Sequence, residues 1–363
     1  MKQLRICHSI FSNPWHPRSG GGHRAVDSLS SGMSELGHDV ITLYSGKVNA
    51  PTTYRVISLP PMWKISYCFE AVSHAIALKK ILSRERIDLV IGHSVNAAFF
   101  PSVCRKFGVP FVFLFHGRWL PKPWIESSIS ERAKFFDYHL VSFVLSDADN
   151  VAVFSRWSHD YVLAQTGRTK SAPFIIQPGI DACWRVDWKP TNSRTIIFWG
   201  RVVQDKGLDE LLDSFAIVRR QLVDTKLLIV GSGQNEGRYR AKALALGVEK
   251  DVVWVGRKDA TDIAKLALSC AVSVFPSHQE SYGFTVLEAM TMGMPIVCTS
   301  AGSLPEVVEG YGQVKIVAPQ DSAALAEAII EQIVGQSKGH STFRRQPTWR
   351  DSAQALLNFA GES

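Results

Sequence analysis

The stretch RTIIFWGRVVQDKGLDELLDSF (194–215) decides how the rest of the chain is read. A short apolar strand runs into a polar loop and then into a helix, the unit from which parallel sheets are built. The same cadence continues in TKLLIVGSG (225–233), DVVWVG (251–256), AVSVFPS (271–277), PIVCTS (295–300) and VKIVAP (314–319). Upstream it is present as LRICHSI (4–10), HDVITLYS (38–45), YRVISL (54–59), DLVIGHS (88–94), PFVFLFH (110–116), NVAVFS (150–155) and PFIIQPG (173–179). Helical patterns fill most of the gaps, so the expected fold is α/β: two doubly wound, Rossmann-like domains facing each other across a cleft.

The 363 residues suit two domains, each with its own core. Between the two strand series lies IDACWRVDWKPTNSR (180–194), which reads as a polar linker and places the boundary near residue 188. The first domain is then 1–188 and the second 189–345. The segment 346–363 contains TWRDSAQALLNFA, a helix with Trp349, Ala353, Leu356, Leu357 and Ala360 on one side. It can cover the second sheet or pack back toward the first domain.

Composition narrows the function classes. Apolar residues at 46% and charged residues at 20% exclude a disordered or collagen-like chain, and no apolar run is long enough to span a bilayer. The start, MKQLRICHSIFSNPW, has too short an apolar core for a signal peptide, so a cytoplasmic protein is expected. The six scattered cysteines lack a C-x-x-C pair and read as reduced thiols, with no structural zinc site. The net charge of +7 is uneven: residues 1–190 hold 22 Lys and Arg against 14 Asp and Glu, the remainder 18 against 19. A basic half beside a near-neutral half fits an anionic partner on the first domain, or a merely solvated surface.

Ligands of open α/β sheets bind beyond the carboxyl ends of the strands, so chemistry is sought there. After the first strand, Gly20, Gly21 and Gly22 precede a helix, and glycine-freed amides at a helix start form an anion site. After the strand 194–200, Arg201 and Lys206 can converge on one diphosphate, Arg as a fork and Lys as a point charge. In PSHQESYGFTVLEAMTMGMPIV (276–297), Glu280 and Glu288 stand eight apart around a helix start. Two carboxylates on one wall suit polyol hydroxyls, and the amides of Gly283, Phe284 and Thr285 add a second anion site. His8, His16 and His23 fit no zinc spacing, and the Asp147–Asp149 pair reads as a turn or cap at a helix end. No essential metal and no cofactor are expected.

These strings together, GRVVQDKG, VGSG, the Glu-x7-Glu pair and AGSLPEVV in that order, resemble the retaining glycosyltransferases of family 4 with the GT-B fold. The likeness is strong over about 194–320 and weaker over the first half. It implies that Arg201 and Lys206 grip a donor diphosphate, Glu280 lies beside the donor sugar, and Glu288 binds the nucleotide ribose. The amides near Gly283 and Phe284 would help hold diphosphate and sugar. It further implies that Gly20–Gly22 face the leaving phosphate, that His116 contacts the donor sugar, and that the base rests on Gly256, Arg257 and Lys258. The turn QPGID (177–181) departs from the Asn-Gly often found there, while keeping Gly and Asp.

The expected activity is transfer of a sugar, with retention, from a nucleotide diphosphate sugar to an acceptor hydroxyl on a glycan or lipid-linked acceptor, as in cell-surface polysaccharide or lipopolysaccharide synthesis. Nucleic acid is not an expected partner, since no nucleic-acid motif is present. Two other readings stay open: a nucleotide-sugar epimerase or phosphorylase of the same architecture, and a non-enzymatic anionic-surface module. The segment 60–86 reads as a helix from about Ile65, with Ile65, Phe69, Val72 and Ile76 on one face and Lys79, Lys80, Arg84 and Arg86 at its end. That face either packs on the sheet or, with Trp63 or Trp119, makes peripheral contact with an anionic membrane.

Overall fold

A computed structural model describes residues 2–12, 19–48, 50–62, 66–117, 139–167, 171–335 and 346–362. Among the described residues, thirteen strands form two parallel sheets. The first, ordered β3-β2-β1-β4-β5-β6-β7, comprises β1 (Arg5–Ile10), β2 (Asp39–Ser45), β3 (Arg55–Leu59), β4 (Leu89–Gly92), β5 (Phe111–Phe115), β6 (Asn150–Val153) and β7 (Phe174–Ile175). The second, ordered β10-β9-β8-β11-β12-β13, comprises β8 (Thr195–Trp199), β9 (Lys226–Val230), β10 (Val252–Gly256), β11 (Val272–Phe275), β12 (Ile296–Thr299) and β13 (Val314–Val317). In both, the order reverses beside the first strand, at β1/β4 and at β8/β11, and a reversal of this kind opens a crevice at the carboxyl ends. The central strands are buried along their whole length, which is why their sequences are continuous Val, Ile and Phe runs and not alternating ones.

The chain divides into two compact units, 1–179 with 347–363, and 180–346. The break lies between Gly179 and Ile180, upstream of the residue 188 expected from sequence. The cause is tryptophan. Trp184 and Trp188 are buried in the second core, and Trp188 Nε1 donates to the Cys270 carbonyl at 2.8 Å. The polar composition of 180–194 hides two large apolar anchors.

The C-terminal helix Trp349–Glu362 belongs to the first unit. It lies against α1 (Gly21–Glu35) so closely that a Cβ on Gly32 would come within 2.8 Å of the Trp349 carbonyl oxygen. Ser352 Oγ donates to the Gln177 carbonyl at 2.6 Å, and Phe359 stacks on Phe174 with ring centroids 4.5 Å apart.

α2 (Tyr67–Leu82) begins at Ser66, whose side chain caps the Cys68 amide. Leu78 and Ile81 pack into the core of the first unit, but the stripe Phe69, Val72 and Ile76 does not. Phe69, Val72 and Ile76 are 54%, 43% and 64% exposed, while Glu70 and His74 are fully buried. The inward polar pair is satisfied: Ser45 Oγ bonds Glu70 and sits 2.8 Å from His74 Nε2, and Ser9 Oγ sits 2.8 Å from His74 Nδ1. Asn96 Nδ2 donates to Ser9 Oγ at 2.6 Å. A buried polar network with every member bonded can hold a helix face inward against the ordinary apolar preference. Ile65, Trp63 and Trp119 lie outside the described residues. No helix among the described residues is long and apolar enough to cross a membrane.

Candidate functional site

In the second unit, β8 delivers Arg201 and Lys206 and β11 delivers Glu280. Gly207 has φ +67°, and a Cβ on it would collide with the Pro276 carbonyl oxygen, so the two strand-end loops touch backbone to backbone only because that residue is glycine. The contact is fixed further by the His278 amide, which donates to the Asp205 carbonyl at 2.9 Å, and by His278 Nε2 at 3.0 Å from Glu210 Oε2. Lys206 Nζ consequently donates to Glu280 Oε1, and Ser277 Oγ donates to the same oxygen at 3.1 Å. From behind, the Ser303 amide donates to the Glu280 carbonyl at 3.1 Å, and Gly302, at φ +58°, lets that loop close on it. Arg201 is exposed and has no ion-pair partner among the described residues.

Gly283 caps the helix Phe284–Met292, its carbonyl accepting from Val286 and Leu287 at 3.0 and 3.1 Å. The positive end of that helix, with Phe284 and Thr285 in its first turn, therefore follows the Glu280 loop directly. Glu288, one turn in, is only 7% exposed, and its Oε2 accepts from Trp199 Nε1 at 2.6 Å. Trp199 is itself wedged between Trp184, stacked at 5.8 Å, and Phe275, edge-on at 4.7 Å. The carboxylate is thus aimed by a buried indole packed between two aromatic rings. Gly256 ends β10, its carbonyl taking the Gly231 amide at 2.9 Å, and Arg257 and Lys258 are exposed beyond it on the outer strand of the sheet.

In the first unit, Gly20 is the cap of α1, with its carbonyl accepting from His23 and Arg24. Gly22 lies against His116, at the end of β5: a Cβ on it would sit 3.4 Å from the His116 Cβ and 3.6 Å from its Nδ1. The glycine triplet and His116 are therefore brought together, as are Lys206 with Glu280. His116 is one of three linked imidazoles. Its Nε2 is 2.9 Å from His93 Nδ1, and His93 Nε2 is 2.8 Å from His8 Nδ1. Burial depresses the pKa of His8 to about 3; burial, reinforced by His23, does the same to His116, and burial with its two neighbours holds His93 well below the usual range. All three are neutral at physiological pH. His8 is thereby spent in the core, His23 Nδ1 takes the Gly20 amide at 3.4 Å, and His16 lies outside the described residues. Asp147 pairs with Arg105 at 2.7 Å.

Sequence reading missed the Trp199–Glu288 bond and the histidine chain. The second had a signal: LRICHS, DLVIGHS and PFVFLFH each carry a histidine at or near the end of an apolar run, and β1, β4 and β5 are neighbours in the sheet. The first had none, since an indole N–H finds its acceptor only once β8 and the helix Phe284–Met292 are packed together.

A family profile described as Glycosyl transferases group 1 matches residues 184–344, and one described as Glycosyltransferase Family 4 matches 19–183. A glycogen synthase of Mycobacterium tuberculosis is 26% identical over 344 residues, covering 85% of this chain and 81% of that protein. A phosphatidylinositol N-acetylglucosaminyltransferase component of Arabidopsis thaliana is 22% identical, covering 97% of this chain and 80% of its own length. Among solved structures, Anabaena HepE in complex with UDP-glucose superposes with a TM-score of 0.71 at 18% identity, covering 99% of this chain and 98% of the other. Two parallel sheets with the same strand order, and two profiles that between them span nearly the whole chain, lead to one conclusion: the protein belongs to glycosyltransferase family 4 and has the GT-B fold.

Proposed function

We propose that this glycosyltransferase is a retaining, metal-independent enzyme that moves a sugar from a nucleotide diphosphate sugar to a hydroxyl of a glycan or lipid-linked acceptor. The observation that carries the proposal is the Lys206–Glu280 pair set at the positive end of the helix that bears Glu288. An ammonium has three N–H donors, and Glu280 engages one of them, so others can address diphosphate oxygens together with the exposed Arg201 fork. Cations and helix-start amides stabilise the charge that grows as the diphosphate departs, the main electrostatic task of such a transfer. The bond from the anomeric carbon to the diphosphate breaks, the acceptor oxygen bonds to that carbon, and the acceptor's proton passes to the departing diphosphate. Glu288, aimed by Trp199, suits the two vicinal hydroxyls of a ribose. The UDP-glucose bound by HepE supports a nucleotide-sugar donor, and the Arabidopsis relative's name supports a lipid-bearing acceptor.

The surface of α2 supports an acceptor held at an anionic membrane. Exposed Phe69, Val72 and Ile76 lead to exposed Lys79, Lys80, Arg84 and Arg86. At about 1 kcal/mol per basic residue near such a surface, four give useful but salt-sensitive attachment.

Incubation with nucleotide sugars and candidate acceptors tests the reaction: nucleoside diphosphate release, a product with the donor's anomeric configuration, and activity retained in EDTA are expected. An altered nucleotide sugar without release would make the protein an epimerase, and activity restored only by added magnesium or manganese would end the metal-independent reading. Co-sedimentation with vesicles containing phosphatidylserine tests the surface. Binding that is indifferent to lipid charge would remove the membrane.

A further inference from the structure

The histidine chain has a built-in direction. His8 Nε2 lies 3.2 Å from the Met33 sulfur, both residues being fully buried. A thioether has lone pairs and no hydrogen to give, and a neutral imidazole has one N–H and one bare nitrogen. The contact is favourable only if His8 carries its proton on Nε2. Its Nδ1 is then bare and must receive the proton of His93 Nε2, 2.8 Å away. His93 Nδ1 is bare in turn and receives His116 Nε2–H at 2.9 Å. The His8 and His93 rings lie 8° from parallel with centroids 5.1 Å apart, which suits a hydrogen bond in the ring planes, and the His93 and His116 rings, with centroids also 5.1 Å apart, are tilted by 38°.

We propose that Met33, through His8 and His93, fixes His116 as its Nε2-protonated tautomer, so that the Nδ1 edge beside Gly22 is a hydrogen-bond acceptor. Met33, His8 and His93 are then positioning residues: they act only by setting which edge of His116 carries the proton. Buried beside Gly22, His116 Nδ1 then carries a lone pair and no positive charge, which suits a hydroxyl donor of the sugar and not a phosphate oxygen. This deepens the transfer reaction proposed above, but its first test needs no substrate. The chain also explains how three imidazoles can be buried side by side: each N–H has one acceptor and no two protons meet, the arrangement that a low-dielectric interior favours.

Protein labelled with nitrogen-15 in histidine, read by long-range proton–nitrogen correlation without nucleotide or sugar, reports the tautomer of each ring directly. His8, His93 and His116 are expected to show protonated Nε2 and unprotonated Nδ1 throughout. A protonated Nδ1 on His116 overturns the proposal. Met33→Leu, close in volume, removes the sulfur acceptor and should release the polarity, giving mixed tautomers as far as His116. His8→Leu, which breaks the chain while keeping Met33, should give the same mixture at His93 and His116. A His116 that stays wholly Nε2-protonated in the folded variants refutes control by Met33. A purely structural role for Met33 would change stability and leave the tautomers alone. Absence of glycosyl transfer with the predicted tautomers present would discard the reaction and leave this inference standing.

Discussion

Glu288 offers the sharpest separation of binding from folding, because one carboxylate is asked to do both. Its Oε2 satisfies a buried indole N–H at 2.6 Å, and the carboxylate is the proposed ribose ligand. Glu288→Gln keeps an oxygen for Trp199 and loses the charge. A hydrogen bond to a charged group is worth about 1.5–3 kcal/mol against about 0.5–1.5 for a neutral one, so the loss on the ribose side is roughly 1.4 kcal/mol, or about tenfold in nucleotide affinity. Glu288→Ala also abandons the Trp199 N–H in the core, at a cost of about 1–3 kcal/mol. At roughly 2–4 °C per kcal/mol for a unit of this size, its melting temperature should fall by about 2–12 °C, whereas that of Glu288→Gln, which keeps an acceptor for Trp199, should fall less. Trp199→Phe combined with Glu288→Ala removes both partners, so the double variant should lose less than Trp199→Phe and Glu288→Ala added together. Calorimetric titration with nucleoside diphosphate, steady-state KM for the donor, and thermal melts of the parent, Glu288→Gln, Glu288→Ala, Trp199→Phe and the double variant measure each quantity. A Glu288→Ala protein that melts with the parent, or strictly additive losses in the double variant, would refute the view that Trp199 holds this carboxylate.

Lys206→Ala should lower kcat/KM at least about tenfold with little change in melting, since the lysine is a charge-assisted donor at a partly open loop; near-normal turnover would remove it from the diphosphate site. Gly207→Ala must displace the Pro276 carbonyl at a backbone of φ +67°, so it should lower both melting temperature and turnover, and a silent substitution would show that the two loops are not locked together. Acid should weaken the fold early. His8 and His116 titrate near 6.5 when unfolded and near 3 when folded, so below pH 6.5 the unfolded chain binds protons that the folded chain refuses. Stability should fall by up to about 1.4 kcal/mol per pH unit for each histidine as pH drops from about 6.5 toward 3, and His8→Leu should flatten that slope in denaturant titrations; an unchanged slope would contradict burial of a neutral His8.

Parallel strands buried on both faces are written as contiguous Val, Ile and Phe runs, and glycines and charges at their ends mark where the chain turns toward a ligand. For that reason both sheets, the glycine triplet, Lys206 and the two glutamates could be found without coordinates. The segment 180–194 could not be read in this way, because two tryptophans among charged neighbours have no periodicity and show their burial only when the second core is assembled. α2 deceived for the opposite reason: its hydrophobic stripe is real, but Ser9, Ser45 and Asn96, distant in sequence, supply the hydrogen bonds that turn its Glu70–His74 face inward.

The amino-acid sequence by itself determined the class of fold, the family and the residue types gathered at the strand ends, because strand burial, helix starts and turns are local properties of a few consecutive residues. The tertiary structure alone decided which groups meet. Lys206 and Glu280 are 74 residues apart, Trp199 and Glu288 are 89 apart, and His8 and His93 are 85 apart. A hydrogen bond is made over about 3 Å, so pairings across such separations exist only after the sheets have set the register of their strands.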